Sequence, residues 1–235
     1  MKPAVMSLVL AFSALSLAAA TFQVADVGKI VKVSDPQISP DGKSIVIVVS
    51  RPNYQLDVNE TQLVLVDIVS HRQRVLTRDR KGISYPRWSP SGEQLAFLAN
   101  DVNNKPQIFL MPMNGGDSEQ LTKIPTGVQQ FAWKPDGSAI AFAASDEAAK
   151  REGEAKFDDA FAVGDNDFLV NSKPLPTHLW LVAVSGGEAK RLTSGIWTLP
   201  ISHPPSSPAS PIAWSPDGKS IAFVKVANAI FGRRR

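Results

Sequence analysis

An all-β chain built from repeated four-stranded units is what this sequence predicts, and three observations carry the prediction. The first is a short phrase that recurs four times: Ile38-Ser39-Pro40-Asp41-Gly42, Trp88-Ser89-Pro90-Ser91-Gly92, Trp133-Lys134-Pro135-Asp136-Gly137 and Trp214-Ser215-Pro216-Asp217-Gly218. Pro presets φ at the second position of a turn, Asp tolerates the third, and Gly accepts a left-handed φ at the fourth. The second is the apolar run that follows each phrase: Ile45–Val49, Leu95–Leu98, Ile140–Ala143 and Ile221–Val224. Such runs are too short for helices and are bounded by turn residues, so they read as buried strands. The third is the period. Gly42 to Gly92 is 50 residues, Gly92 to Gly137 is 45, and Gly137 to Gly218 is 81. Periods of roughly 40–50 residues with several strands each are the signature of β-propeller blades. The long gap then holds one blade plus an insertion of about 30–36 residues.

The remaining strands follow in order. Leu76-Thr77, Leu121-Thr122 and Leu192-Thr193 close successive units, and a second hairpin precedes each pair. Thr61–Ile68 is expected to pair with Gln73–Leu76, Gln107–Met113 with Glu119–Leu121, and His178–Val184 with Ala189–Leu192. The fold class is therefore a partial β-propeller, WD40-like, with three units and the first hairpin of a fourth.

Domain organisation follows from the same marks. Residues 1–20 read as a secretory signal: Lys2 is the positive start, Ala4–Leu17 the apolar core, and Ala18-Ala19-Ala20 the small-residue cleavage site. Export to the periplasm or medium is the expectation, with no membrane association after cleavage. Residues 21–33 are a lead-in, 34–226 the incomplete propeller, and 227–235 an irregular basic tail. The insertion spans about 145–177. Its first part, Asp146–Lys156, has helical character, with Ser145 as cap and Glu147/Arg151 and Glu152/Lys156 as i,i+4 pairs. Phe157 and Phe161 are expected to pack on the blade. Thr198–Pro211, with five prolines, reads as a connecting loop.

Composition excludes some functions. The formal charge of +3 arises at the ends: without Lys2, Arg233, Arg234 and Arg235 there are 21 basic against 22 acidic residues. Nucleic-acid binding needs a basic stripe, and the body has no such excess. There is no cysteine, hence no disulfide. Asp165-Asn166-Asp167 lacks the Gly and terminal Glu of a calcium loop, so no metal is expected. His71, His178 and His203 lie far apart and read as surface or turn residues. No Gly-x-Ser-x-Gly elbow, phosphate-binding glycine loop or His-Glu-x-x-His occurs. Neither a catalytic nor a cofactor-binding residue is assigned.

Three blocks together resemble the N-terminal propeller of secreted bacterial peptidases of the prolyl oligopeptidase family. They are Val33-Ser34-Asp35-Pro36-Gln37-Ile38-Ser39-Pro40-Asp41-Gly42, then Tyr85-Pro86-Arg87-Trp88-Ser89-Pro90 with Leu95-Ala96-Phe97, then His178-Leu179-Trp180-Leu181-Val182 with Gly186-Gly187-Glu188 and Arg191-Leu192-Thr193. The branch they resemble most is that of acylaminoacyl-peptidases and dipeptidyl aminopeptidase-like enzymes. The resemblance implies a substrate-gating propeller for short peptides, with the serine nucleophile on an α/β-hydrolase domain that these 235 residues do not contain. Neither Glu152 nor Glu154, considered as holders of a substrate amino terminus, matches a family motif. The alternative is a periplasmic propeller of the TolB type, a protein-interaction scaffold without catalysis. In either case the uncovered blade edges imply self-association.

Overall fold

The computed structural model describes residues 22–157, 160, 175–200 and 211–226. Its strands form three four-stranded antiparallel sheets and one hairpin, each in simple sequence order. The first sheet is β1 (Lys32–Ile38), β2 (Ser44–Asn53), β3 (Val58–Asp67) and β4 (Gln73–Val75). Next come β5 (Ser84–Trp88), β6 (Gln94–Asn100), β7 (Pro106–Pro112) and β8 (Glu119–Gln120). The third comprises β9 (Gln130–Trp133), β10 (Ala139–Ser145), β11 (Thr177–Ala183) and β12 (Lys190–Arg191). Finally β13 (Ala213–Trp214) pairs with β14 (Ile221–Ala222). The three blades and a hairpin expected from the repeats are all present.

Each recurring phrase is a hydrogen-bonded turn. The Gly42, Gly92, Gly137 and Gly218 amides donate to the carbonyl three residues back at 2.8–2.9 Å, with φ of 67–76°. The Ser and Asp of the phrase lock it further. Ser39 Oγ donates to Asp41 Oδ1 at 2.6 Å while accepting the Ser44 amide at 3.0 Å. Where Lys134 replaces the serine, its ammonium reaches Asp136 Oδ2 at 2.6 Å instead. Those partners hold the Asp41, Asp136 and Asp217 carboxyls below the usual range.

The Leu-Thr pairs end the sheets by a common device. Leu76, Leu121 and Leu192 donate their amides to Leu63, Ile108 and Leu179, each at 2.8 Å. The amides of those same three residues donate to Thr77, Thr122 and Thr193 Oγ1, each at 2.9 Å. The threonine hydroxyl thus takes over the ladder where the fourth strand leaves it.

Packing joins the blades face to face. Val46, Leu63, Leu95 and Phe97 fill the first seam, Leu98, Ile108, Phe131 and Phe142 the second, and Ala141, Leu179, Leu199 and Ile212 the third. The repeat tryptophans tie successive first strands in register. Trp88 Nε1 donates to Gln37 O, Trp133 Nε1 to Arg87 O and Trp214 Nε1 to Ala132 O, at 3.1–3.2 Å. In every case the acceptor is the residue just before the preceding unit's tryptophan position. In the first unit that position is Ile38, 64% exposed, with no described blade before it.

Three local expectations fail. The stretch after Ser145 is not helical until a 3-10 turn at Gly153–Phe157. Ser145 is the last residue of β10, where its Oγ meets Thr177 Oγ1 at 3.1 Å rather than capping a helix. Asp146 continues that pairing, donating its amide to Pro176 O at 2.8 Å and bonding Arg191 through its carboxylate at 2.9 Å. Tertiary pairing outweighs the weak i,i+4 ion pairs. Phe157 is 84% exposed instead of packing on the blade. His178 is fully buried rather than superficial, whereas His71 does occupy a hairpin turn, at φ 57°. The leader, Phe161, Asp165-Asn166-Asp167, His203 and the basic tail lie outside the described residues.

Candidate functional site

The strands that begin the units pack in succession, β1 on β5, β5 on β9 and β9 on β13, as the inner strands of propeller blades do. Two of them are interrupted. Register breaks between Ser34 and Gln37 in β1, and between Ser84 and Arg87 in β5. In each break a non-glycine residue at positive φ, Asp35 (48°) or Tyr85 (55°), precedes a proline that cannot donate to the ladder. These are β-bulges, which re-aim side chains, and such strained backbone collects at sites of function.

The side chains so presented form one cluster. Arg87 Nη1 donates to Asp35 Oδ1 at 2.9 Å, to Oδ2 at 3.0 Å and to Pro86 O at 2.6 Å. Its guanidinium lies 3.7 Å from the centre of the Tyr85 ring, and Gln37 Nε2 donates to Asp35 Oδ1 at 2.9 Å. Beside it is a cavity of about 320 Å³ lined by Lys32, Ser34, Ser50, Thr61, Ser84 and Gln129, among others. Asp35, Val48, Ile83, Tyr85 and Leu98 line it too, so its wall is mostly apolar, with Lys32 and Asp35 as its charged groups.

A second arrangement looks catalytic and is not. His178 Nδ1 is 3.3 Å from Thr193 Oγ1, and its Nε2 is 3.7 Å from Asp146 Oδ2, an order of groups that mimics a hydrolase triad. Yet the histidine is fully buried, and Thr193 Oγ1 already accepts the Leu179 amide. Nε2 lies nearer Gly195 O, at 3.2 Å, than Asp146. The repeat identifies the role. Gln107 occupies the same place in the second blade, accepting from Thr122 Oγ1 at 2.9 Å through Oε1 and donating to Ile124 O at 2.8 Å. His178 performs that bridging as a neutral Nε2–H imidazole, accepting at Nδ1. Burial pushes its pKa down, against the upward pull of Asp146.

Of the other residues considered from sequence, Glu152 and Glu154 are exposed and not drawn into either cluster. Among the described residues no group of three or more His, Asp or Glu side chains is placed to hold a metal ion. The Asp35–Arg87 cluster escaped the sequence reading. Its signal was Pro36 and Pro86, each six residues before the turn glycine, in runs otherwise reading as strand interior.

Comparison with known proteins adds to this geometry. No family model matches the chain. An uncharacterized peptidase, YuxL, of Bacillus subtilis (strain 168) is 31% identical over 95 residues, which are 40% of this chain and 14% of that protein. Acylaminoacyl peptidase of Pyrococcus horikoshii superimposes with a TM-score of 0.54 at 18% identity, over 85% of this chain and 34% of its own. A puromycin-hydrolyzing peptidase of Mycobacterium tuberculosis gives 0.56 at 12% identity, over 83% and 28%. The chain therefore spans about a third or less of the length of each. The structural likenesses show the fold. With the sequence match, they bear out the resemblance to the N-terminal propeller of a prolyl oligopeptidase family peptidase.

Proposed function

We propose that this chain is the substrate-gating propeller portion of a serine peptidase that acts on short peptides. The observation that carries the reading is the 31% identity to a peptidase, joined to blades that run in strict sequence order. Acyl transfer needs an activated nucleophile and donors for the oxyanion. Among the described residues the one hydroxyl–imidazole pair is committed to holding a blade together. The chemistry is assigned to an α/β-hydrolase domain elsewhere in the complete protein.

The propeller's contribution is selection by access. Main-chain ladders and tryptophan ties make the inner wall stiff, and the Asp35–Arg87 pair braces its first two strands. A stiff wall admits a thin, extended peptide and excludes a folded chain. The proposed location is the periplasm or the medium, supported by the leader sequence. Among the described residues no helix is long and apolar enough to cross a membrane.

The test uses the purified chain with aminoacyl and acyl-aminoacyl chromogenic amides. The expected result is no release above background. Hydrolysis that survives purification and is removed by a serine-directed phosphonate would place a nucleophile in these residues and overturn the reading.

A further inference from the structure

The seams between blades are not filled alike. At the first seam the link from β4 to β5 sends Arg80 across the gap, its guanidinium 4.5 Å from the centre of the Phe109 ring and its Nη2 donating to Ser118 O at 3.0 Å. The link from β8 to β9 follows the same plan, with Leu121-Thr122 and Gly127-Val128 matching Leu76-Thr77 and Gly82-Ile83. By that register Pro125 stands where Arg80 does, and Trp180 where Phe109 does. A proline ring is too short to cross. Among the described residues, what remains is a groove of about 1030 Å³ on the outer side of the second and third blades.

Its composition is specific. Leu110, Leu121, Trp180, Val182, Val184 and Ala189 supply an apolar floor. The rim carries four carboxylates, Glu119, Asp146, Glu147 and Glu188, against two cations, Lys123 and Arg191. Asp146 and Arg191 neutralise one another at 2.9 Å. Three exposed glutamates then face one lysine. No residue of β5 or β9, the inner strands of these blades, lines the groove, so it lies apart from the route proposed for substrate.

We propose that this groove docks an extended segment of a partner protein in which apolar side chains alternate with Lys or Arg. The apolar side chains cover the floor that Arg80's counterpart leaves open. The cations meet Glu119, Glu147 and Glu188 at the rim, while Trp180 in the floor already has Arg191 5.8 Å from its ring centre and Phe142 stacked on it. Charge complementarity commits the groove to a basic segment and against an acidic one.

The experiment measures fluorescence anisotropy of dye-labelled acetyl-Lys-Leu-Lys-Phe-Lys-amide against the full chain, beside the same peptide with Glu for Lys. The expected result is saturable binding of the basic peptide, weakened by salt, and at least about tenfold weaker binding of the acidic one. P125R restores the side chain that fills the first seam, and the double variant E119K/E188K inverts the rim. All three positions are exposed, so these variants should retain the wild-type melting temperature. Each should weaken the basic peptide by about tenfold or more, and the inverted rim should favour the acidic one. Absence of saturable binding, or equal binding by wild type and P125R, would overturn the proposal. Neither outcome bears on the peptidase reading, which rests on other residues.

Discussion

His178 is a residue whose chemistry suggests one role and whose position enforces another. Its imidazole faces Thr193 and Gly195 O, with Asp146 beyond and Arg191 beside that carboxylate. Burial lowers its pKa below the ordinary 6.5 in spite of Asp146, while Arg191 also lowers it. The unfolded chain, with an unperturbed histidine, therefore binds more protons below about pH 6.5. The stability this neutral side chain confers is fully present above that pH and is lost as pH falls toward the folded value. Because Gln107 does the same work in the second blade, H178Q should be tolerated at pH 7.5 within about 1 kcal/mol. H178A strands its partners and should cost about 1–3 kcal/mol. Thermal unfolding of wild type and H178Q from pH 7.5 to 5.0 checks this. The wild type should lose stability faster, and parallel curves would show that His178 is not held neutral.

At the scale of the element, the turns and ties set the blade geometry, and they were legible to different degrees. The phrase ending in glycine gave both the turn and the strand after it, because Pro, Asp and Gly act locally. The Leu-Thr pairs marked the sheet ends for a reason that only hydrogen bonding makes plain. The bulges at Asp35 and Tyr85 were less legible, since alternation and propensity describe a regular strand. The helix expected after Ser145 failed because β10 and β11 extend their pairing through Asp146, a long-range effect that local i,i+4 pairs do not report.

Two sets of substitutions test these elements by urea unfolding. G42A meets nothing within 4 Å and should cost only the left-handed strain, about 1–2 kcal/mol. G127A, at φ 81°, also places its Cβ 2.9 Å from Pro106 Cδ and 3.2 Å from Pro106 O, and should cost about 1–3 kcal/mol more. W133F removes the indole donor to Arg87 O and should cost about 1 kcal/mol or somewhat more. I38W adds an indole where no described acceptor stands and should change stability by less than about 0.5 kcal/mol. Equal effects of W133F and I38W would contradict the role given to the ties.

For the whole molecule, what lies on the two outer faces matters most. Blade one leaves Val33, Ile38 and Val75 from 44 to 64% exposed, and beyond β14 Val224 is 59% exposed. Among the described residues the last sheet has only two strands. Propellers protect such faces by radial closure, and uncovered ones invite association. Light scattering of the purified chain is expected to show oligomers that grow with concentration. A monodisperse monomer that melts cooperatively would contradict the view that these faces are blade interfaces. The catalytic half of the proposal was legible only as a family resemblance in three sequence blocks, and the peptidase match that supports it covers 14% of that relative.

The nucleotide sequence following the codon for Arg235, read in all three frames, tests that assignment most directly. Further Ser-Pro-Asp-Gly units are expected there, then a Gly-x-Ser-x-Gly elbow, then the Asp and His that complete a triad in that order. The protein expressed with that region should hydrolyse aminoacyl or acyl-aminoacyl amides and lose the activity to a serine-directed phosphonate. A downstream region with neither blades nor elbow in any frame would contradict the peptidase assignment and leave a propeller that serves as a binding scaffold.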